Sequence, residues 1–270
     1  MDRSGHRRAL ALIRQALVLG SLLLLGPVPA VRADPGAATP ASAAVTVVPL
    51  FATVLPGAAI PVAPTTDFLL WEASIDPGVT VVSPPGYFSC CPGPLLTHVL
   101  AGQLLLRVDG PLQIVRVSAV ATPAPAEVVP SGSPVTLRPG DTALWRLEQP
   151  MTYTNPSTDP LQLIACGYFG GYAPAPVAGY QIVDFVEHTP APTLPPGDVT
   201  MELVRVQMPP GTALAAAPVG ALRLAIRESG AGILKRQTDG ALANSGRTAV
   251  VVHVLSLFPH AGAGTLMPAI

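Results

Sequence analysis

Side chains that could bind a metal or take part in catalysis are few in this chain of 270 residues. Three cysteines, Cys90, Cys91 and Cys166, and five histidines supply the obvious metal ligands. His188 and His253 have no partner at ligand spacing, and the sequence contains no nucleophile elbow, phosphate-binding loop or paired carboxylates. These residue types favour binding or a structural role over catalysis.

The spacing of Gly140 and Asn155 is the most informative pattern. Arg138-Pro-Gly140-Asp141 is followed by Met151-Thr-Tyr-Thr-Asn155 and then by an apolar run at 160–165. Upstream, Val99-Leu-Ala-Gly102 leads into a second apolar run that ends at Asp109-Gly110. Together these segments resemble the two sequence motifs of the cupin family. The resemblance implies an antiparallel jelly-roll barrel, with Gly102 and Gly140 in turns.

The resemblance also shows where the metal ligands of a cupin would fall. Counting from Gly140, the Pro, Gly, His and Asn of the second motif fall at Arg146, Glu148, Met151 and Asn155. In the first motif the Glu falls at Leu95, and the His-x-His pair falls at Ser89 and Cys91, or one residue earlier if a longer spacing holds. Three of the four usual ligands are thus replaced, and the fourth is a thiol. Iron and manganese prefer imidazole and carboxylate, so the sequence predicts no cofactor.

A soft metal ion is the alternative. Sulfur ligands suit Cu(I), and Cys91 and Met151 would face each other if the two motif strands meet as in cupins. If any metal is bound, the candidate ligands are Cys91, Met151 and His98. Because side chains alternate along a strand, we expect His98 to face away from Cys91 and Leu95, and we interpret it as a histidine on the sheet surface.

The same strands define a candidate ligand pocket. Its predicted residues are Cys91, Leu95, Arg146, Glu148, Met151, Tyr153 and Asn155. Arg146 and Glu148 share strand parity and could pair. Tyr87, Trp145 and Tyr153 could line the mouth of the barrel and stack on a ring, with packing of the core or rim as the alternative.

The N-terminus has the features of an export signal. Arg3, Arg7, Arg8 and Arg14 precede an apolar core at 16–26, and Val31-Arg32-Ala33 offers small residues for cleavage. A core of about 11 residues is short against the roughly 20 that span a bilayer. Arg7-Arg8 also fits twin-arginine export, so the route stays open. We expect an extracellular or periplasmic protein with no membrane segment after cleavage.

Export bears on charge and on the cysteines. Cleavage after residue 33 leaves 10 basic and 15 acidic residues, a net charge near −5, which excludes nucleic acid as an expected partner. A small-molecule ligand is the expected partner, and a homodimer is compatible with the sequence.

In an oxidising compartment Cys166 could pair with Cys90 or Cys91, or all three could be buried thiols.

The chain divides by composition. Only 11% of residues are charged and 33 are proline, and short apolar runs bounded by Pro-Gly and Asp-Gly predict an all-β fold. Segment 199–270 echoes the first half, because Gly211, Gly230 and Asn244 follow strands as Gly78, Gly102 and Asn155 do. A plain β extension is the alternative there. We predict a signal peptide at 1–33, a disordered Ala/Pro-rich segment at 34–44, a cupin barrel at 45–170, a connector at 171–198, and a reduced cupin-like repeat at 199–270.

These observations predict an exported, non-catalytic cupin-fold protein with a small-molecule-binding or structural role. The alternative function is a metal-dependent cupin enzyme, of the dioxygenase or isomerase type, with atypical ligands. Metal analysis of the purified protein separates the two.

Overall fold

The regular structure of the chain consists of β-strands. The computed structural model describes residues 44–57, 67–83, 93–117, 126–146, 149–169, 177–188, 197–231, 234–236 and 241–260. All of them lie within one compact unit, Ala43–Ile270. The predicted segments 1–33 and 34–43 lie outside the described residues. No helix among the described residues is long and apolar enough to cross a membrane.

The strands are numbered in chain order. They are β1 (Thr46–Leu55), β2 (Asp67–Ile75), β3 (Thr80–Ser83), β4 (Pro94–Ala101), β5 (Leu104–Val108), β6 (Leu112–Val115), β7 (Glu127–Val129), β8 (Val135–Leu137), β9 (Thr142–Arg146), β10 (Met151–Thr154), β11 (Leu161–Phe169), β12 (Tyr180–His188), β13 (Val199–Met208), β14 (Ala213–Leu214), β15 (Leu222–Ser229), β16 (Leu234–Arg236), β17 (Leu242–Asn244) and β18 (Val250–Pro259).

Eight of these strands form a jelly roll. One sheet contains β2-β11-β4-β9 and the other contains β3-β10-β5-β8, with all pairs antiparallel. Along the chain, the polypeptide therefore crosses from one sheet to the other after most strands, which is how a jelly roll wraps a core. The first sheet is extended to seven strands by β12 beside β2 and by β6 and β7 beside β9. The predicted all-β, antiparallel jelly-roll fold is confirmed.

The two jelly-roll sheets share one core, which we call the jelly-roll core. Alternate residues of β4, such as Leu95 and Val99, face it, and Leu96 between them faces the other side of the sheet. Gly102 and Gly140 have φ of 79° and 92° and lie at turns, as predicted. At Gly102 a Cβ would lie 2.9 Å from the Cα of Leu161, so the turn also needs the space that glycine leaves.

A third sheet, of order β1-β13-β18-β15, covers the outer face of the seven-stranded sheet, and we call it the C-terminal sheet. Between the two sheets lies a second apolar cluster, which we call the intersheet core. It contains Leu96 and Ile164 from one side and Leu203, Leu224 and Leu255 from the other. A third, smaller cluster lies on the far side of β13 and β18, where strands β14, β17 and β16 form a short sheet.

The two halves of the chain repeat the same local hydrogen bonds at its two asparagines. The Asn155 Nδ2 donates to the carbonyls of Ile75 and Asp159, at 2.8 and 2.9 Å. The Asn244 Nδ2 donates to the carbonyls of Met208 and Thr248, at 2.9 and 2.8 Å. In both cases the Oδ1 accepts from the backbone N–H two residues later.

The glycines repeat as well. A Cβ on Gly230 would meet the backbone of Ala249 and Val250, just as one on Gly102 would meet Pro160 and Leu161. The contacts of Gly102 lie five and six residues after Asn155, and those of Gly230 lie five and six after Asn244. The turns after Asn155 and Asn244 therefore share the same local geometry.

Two strands join sheets that the sequence did not indicate. β1 pairs along β13 and so belongs to the C-terminal sheet, although 45–170 was predicted to form one barrel. β12, inside the predicted connector 171–198, pairs along β2 as an edge strand. Both pairings join segments distant in sequence, which a local pattern of apolar residues does not encode.

Candidate functional site

Two of the four motif positions for metal ligands lie in an apolar environment. Leu95 on β4 and Met151 on β10 come from opposite sheets and both pack in the jelly-roll core, 1% and 5% exposed. Cys91 and Glu148 lie outside the described residues. Leucine offers no donor atom and methionine only a soft thioether, so these two positions do not fit iron or manganese.

No other metal site replaces them within the described chain. Those residues hold no group of three or more His, Cys, Asp or Glu that could bind a metal ion. His98 lies on the face of β4 opposite Leu95, because the bulge in β4 comes only after Val99. It therefore cannot join Met151 in a shared site. The interpretation of His98 as a surface histidine is wrong: it is 4% exposed, because the C-terminal sheet covers that face.

An aromatic cluster occupies the jelly-roll core instead. Trp145 stands opposite Leu95 in the β4–β9 register and makes an edge-to-face contact with Tyr153, with ring centroids 5.9 Å apart. The pair joins the two sheets, since Tyr153 lies on β10. At the same core, the Trp71 Nε1 donates to the Tyr180 hydroxyl at 3.1 Å.

One polar atom of this cluster is buried without a partner. The Trp145 Nε1 has no hydrogen-bond partner, and the residue is 3% exposed. Burial raises the pKa of Tyr153 far above its usual value, with the neighbouring Tyr180 adding to the rise and the Thr97 hydroxyl opposing it. The Tyr153 phenol is therefore neutral and keeps its proton at any ordinary pH. An unmade hydrogen bond of this kind costs about 1–3 kcal/mol.

Small side chains surround Thr97. Its register partners are Ala143 on β9 and Ala165 on β11. Both face the jelly-roll core, and neither reaches far into it. Ala165, Thr97 and Ala143 therefore form a row of small side chains across three neighbouring strands, with Trp71 next to Ala165.

Two other predicted pocket residues, Arg146 and Asn155, lie elsewhere. Arg146 is exposed, because it follows the inward-facing Trp145 on the same strand and alternation turns it outward. The Asn155 side chain is 0% exposed and its bonds go to the backbone of the turn and to Ser157. Of the predicted set, the structure brings together Leu95, Met151 and Tyr153.

Thr97, Trp71 and Tyr180 belong to the site but were missed from the sequence. Strand alternation in the sequence could have identified Thr97 and Trp71, because it puts Thr97 on the Leu95 face and Trp71 on the face of Ala73 and Ile75. The sequence could not have identified Tyr180, since its contact depends on β12 pairing with β2.

Cys166 belongs to the intersheet core. It is a free thiol with 0% exposure on β11, and burial raises its pKa well above the usual range. Cys90 and Cys91 lie outside the described residues.

Comparisons with known proteins give structural likeness only. No protein-family model and no curated protein sequence matches the chain. Among solved structures, a provisionally named glyoxylate-induced protein from Pseudomonas aeruginosa is 13% identical, with 90% of this chain and 97% of that chain covered and a TM-score of 0.39. AerE from Microcystis aeruginosa is 11% identical over 78% and 98%, at 0.36. Oxalate decarboxylase from Lactobacillus farciminis is 10% identical over 77% and 81%, at 0.36.

The decisive observation is in the chain itself. Its strand order is that of a jelly roll, and Gly102, Gly140 and Asn155 of the two motifs occupy the turns that the motifs require. The chain has the cupin-type jelly-roll fold. Leu95 and Met151, which stand at two of the motif positions for metal ligands, lie among apolar and aromatic side chains of this core.

Proposed function

We propose that this protein is an exported, non-catalytic cupin that binds a small, uncharged, partly aromatic molecule in its jelly-roll core. The observation that carries the proposal is the unpartnered indole N–H of Trp145, whose Nε1 is buried in an aromatic interior. Native proteins rarely leave buried donors unpaired, so a bound molecule with a hydrogen-bond acceptor is the natural partner.

The chemistry of the core favours an uncharged ligand. The buried acidic and basic side chains of the described residues, Asp141, His98 and His253, do not belong to this core. Burying a carboxylate or an ammonium without a charged partner costs far more than burying a hydrogen-bonded carbonyl. The rings of Trp71, Trp145 and Tyr153 offer faces and edges for a second aromatic ring.

The test uses three compounds of similar size and the two tryptophans of the chain, both of which lie in this core. Acetophenone carries a carbonyl acceptor, ethylbenzene lacks it, and benzoate adds a charge. We expect acetophenone to quench the intrinsic fluorescence with an affinity roughly tenfold above ethylbenzene, since one buried hydrogen bond is worth about 1.4 kcal/mol. Benzoate is expected to bind more weakly than either.

Matched variants locate the effect. Trp145→Phe keeps an aromatic ring but removes the unpartnered donor, and it is expected to reduce the preference for acetophenone over ethylbenzene. Trp71→Phe is the control, because its indole N–H already donates to Tyr180. Failure of all three compounds to bind, or an unchanged preference in Trp145→Phe, contradicts the proposal. Stoichiometric iron or manganese that survives dialysis replaces it with the metal-dependent enzyme.

A further inference from the structure

Two histidines from different sheets meet inside the molecule. His98 lies on β4 of the seven-stranded sheet and His253 on β18 of the C-terminal sheet. Their ring centroids are 6.1 Å apart, and the residues are 4% and 1% exposed. In register, His98 is the neighbour of Ile164, and His253 is the neighbour of Ile226, both of which belong to the intersheet core. The histidine pair is therefore part of the contact that holds the two sheets together.

The ring nitrogens of the two histidines have different partners. The His98 Nδ1 and the Thr142 Oγ1 are 2.8 Å apart and share a hydrogen bond. The His253 Nε2 lies 3.5 Å from the Glu228 Oε2. The His253 Nδ1 is buried and has no partner. The His253 imidazole therefore has one buried nitrogen that nothing in the described chain stabilises in either protonation state.

Charged groups face the pair from four strands or turns. Glu228 on β15 attracts a proton to both histidines, and Asp141, which precedes β9, does so for His98. Arg205 on β13 opposes protonation of His253 and is bound to the Glu228 carboxylate at 2.6 and 2.8 Å. Glu72 on β2 is coupled to Glu228 by like-charge repulsion. Because the Glu228 carboxylate already accepts two hydrogen bonds from Arg205, it is a weak partner for an imidazolium.

We propose that the His98–His253 pair is a proton-sensitive contact that opens the edge of the intersheet core, along β15 and β18, in mildly acidic surroundings. β15 is an edge strand of the C-terminal sheet, so this part of the interface can separate without breaking the jelly-roll core. The inference is independent of the proposed ligand and concerns a different core.

The direction of the effect follows from protonation. The pKa of both histidines is lowered from the usual 6.5 to about 4, mainly by burial, and for His98 also by the neighbouring His253. The open state therefore binds more protons between pH 6.5 and 4, and stability of the closed contact falls as pH falls through that window. At pH 5.5 opening is favoured about 10-fold per histidine and about 100-fold for the pair, relative to pH 7.5. Carboxylates of ordinary pKa are still ionised at pH 5.5, so this comparison isolates the histidines.

Cys166 provides the readout, because its buried thiol belongs to the intersheet core. The full-length mature protein is treated with 4,4′-dithiodipyridine, which reacts with thiols in acid, and modification of the Cys166 peptide is timed by mass spectrometry. The rate in urea-unfolded protein at the same pH gives the protection factor. We expect the protection factor to fall at least tenfold between pH 7.5 and 5.5, while the fluorescence of the jelly-roll tryptophans stays constant.

The variants His98→Asn and His253→Gln replace each imidazole by an uncharged amide. The double variant is expected to keep its protection factor within about threefold over the same range. His260→Gln is the matched control, since His260 contacts Thr200 rather than the pair and should retain the full response. If the double variant does not fold, each single variant must reduce the response about tenfold.

A protection factor that does not change in the unmutated protein overturns the proposal. So does an equal fall in the variants that lack either histidine. Loss of tryptophan fluorescence in parallel with Cys166 protection also overturns it, because it shows unfolding of the whole molecule rather than opening of one edge. None of these outcomes bears on ligand binding in the jelly-roll core.

Discussion

Asn155→Ala tests how much one motif side chain contributes to the fold. The Asn155 side chain is fully buried and makes three bonds to backbone groups: to the carbonyls of Ile75 and Asp159, and from the N–H of Ser157. Each such bond contributes about 0.5–1.5 kcal/mol net. Asp159 and Ser157 lie at an accessible turn and can bind water after the substitution, whereas Ile75 is buried. We therefore expect a loss of about 2–3 kcal/mol in the free energy of unfolding.

Urea unfolding followed by tryptophan fluorescence and by far-UV circular dichroism measures this loss. Asn244→Ala is the matched variant, because Asn244 makes the same three bonds in the second half, to Met208, Thr248 and Gly246. Thr154→Ala is the control: its hydroxyl bond to Thr80 is exposed, and its loss should cost less than about 0.5 kcal/mol. A loss below about 1 kcal/mol for both asparagine variants, or an equal loss for Thr154→Ala, refutes the structural role assigned to these side chains.

Two further predictions concern the turn at Gly102 and the N-terminus. Gly102→Ala should lower the free energy of unfolding in urea by more than about 2 kcal/mol, because φ is 79° and the new Cβ would lie 2.9 Å from the Leu161 Cα. Gly78→Ala is the control and should cost about 1 kcal/mol, because its φ is 73° but nothing lies within 4 Å of the new Cβ. Equal losses would show that the close approach at Gly102 is unimportant. N-terminal sequencing of exported protein should begin near Asp34, because Ala33 ends the best cleavage site, and recovery of Met1 from exported material would contradict the export signal.

The sequence by itself determined the class of fold and the turns of its motifs. Strand alternation and Pro-Gly or Asp-Gly turns are local properties, so the antiparallel strands around Gly102 and Gly140 could be predicted from short segments. The same alternation placed Leu95, Met151 and Tyr153 on one side of their strands. The replacement of motif ligands by Leu95 and Met151 is also a local fact, and it predicted an apolar metal position.

Only the tertiary structure decided which strands share a sheet and which faces are covered. Pairing of β1 with β13 and of β12 with β2 joins segments that are more than 100 residues apart, and their register is set by contacts that no short window contains. The pairing of β12 with β2 brought Tyr180 to Trp71, and the packing of the two jelly-roll sheets buried Trp145 and left Arg146 exposed. The sheet β1-β13-β18-β15 covered His98. In a single sheet His98 would lie at the surface, but in the structure it is buried and faces His253. The sheet β1-β13-β18-β15 needs an apolar face to pack against, and the outer face of β4 and β11 provides it.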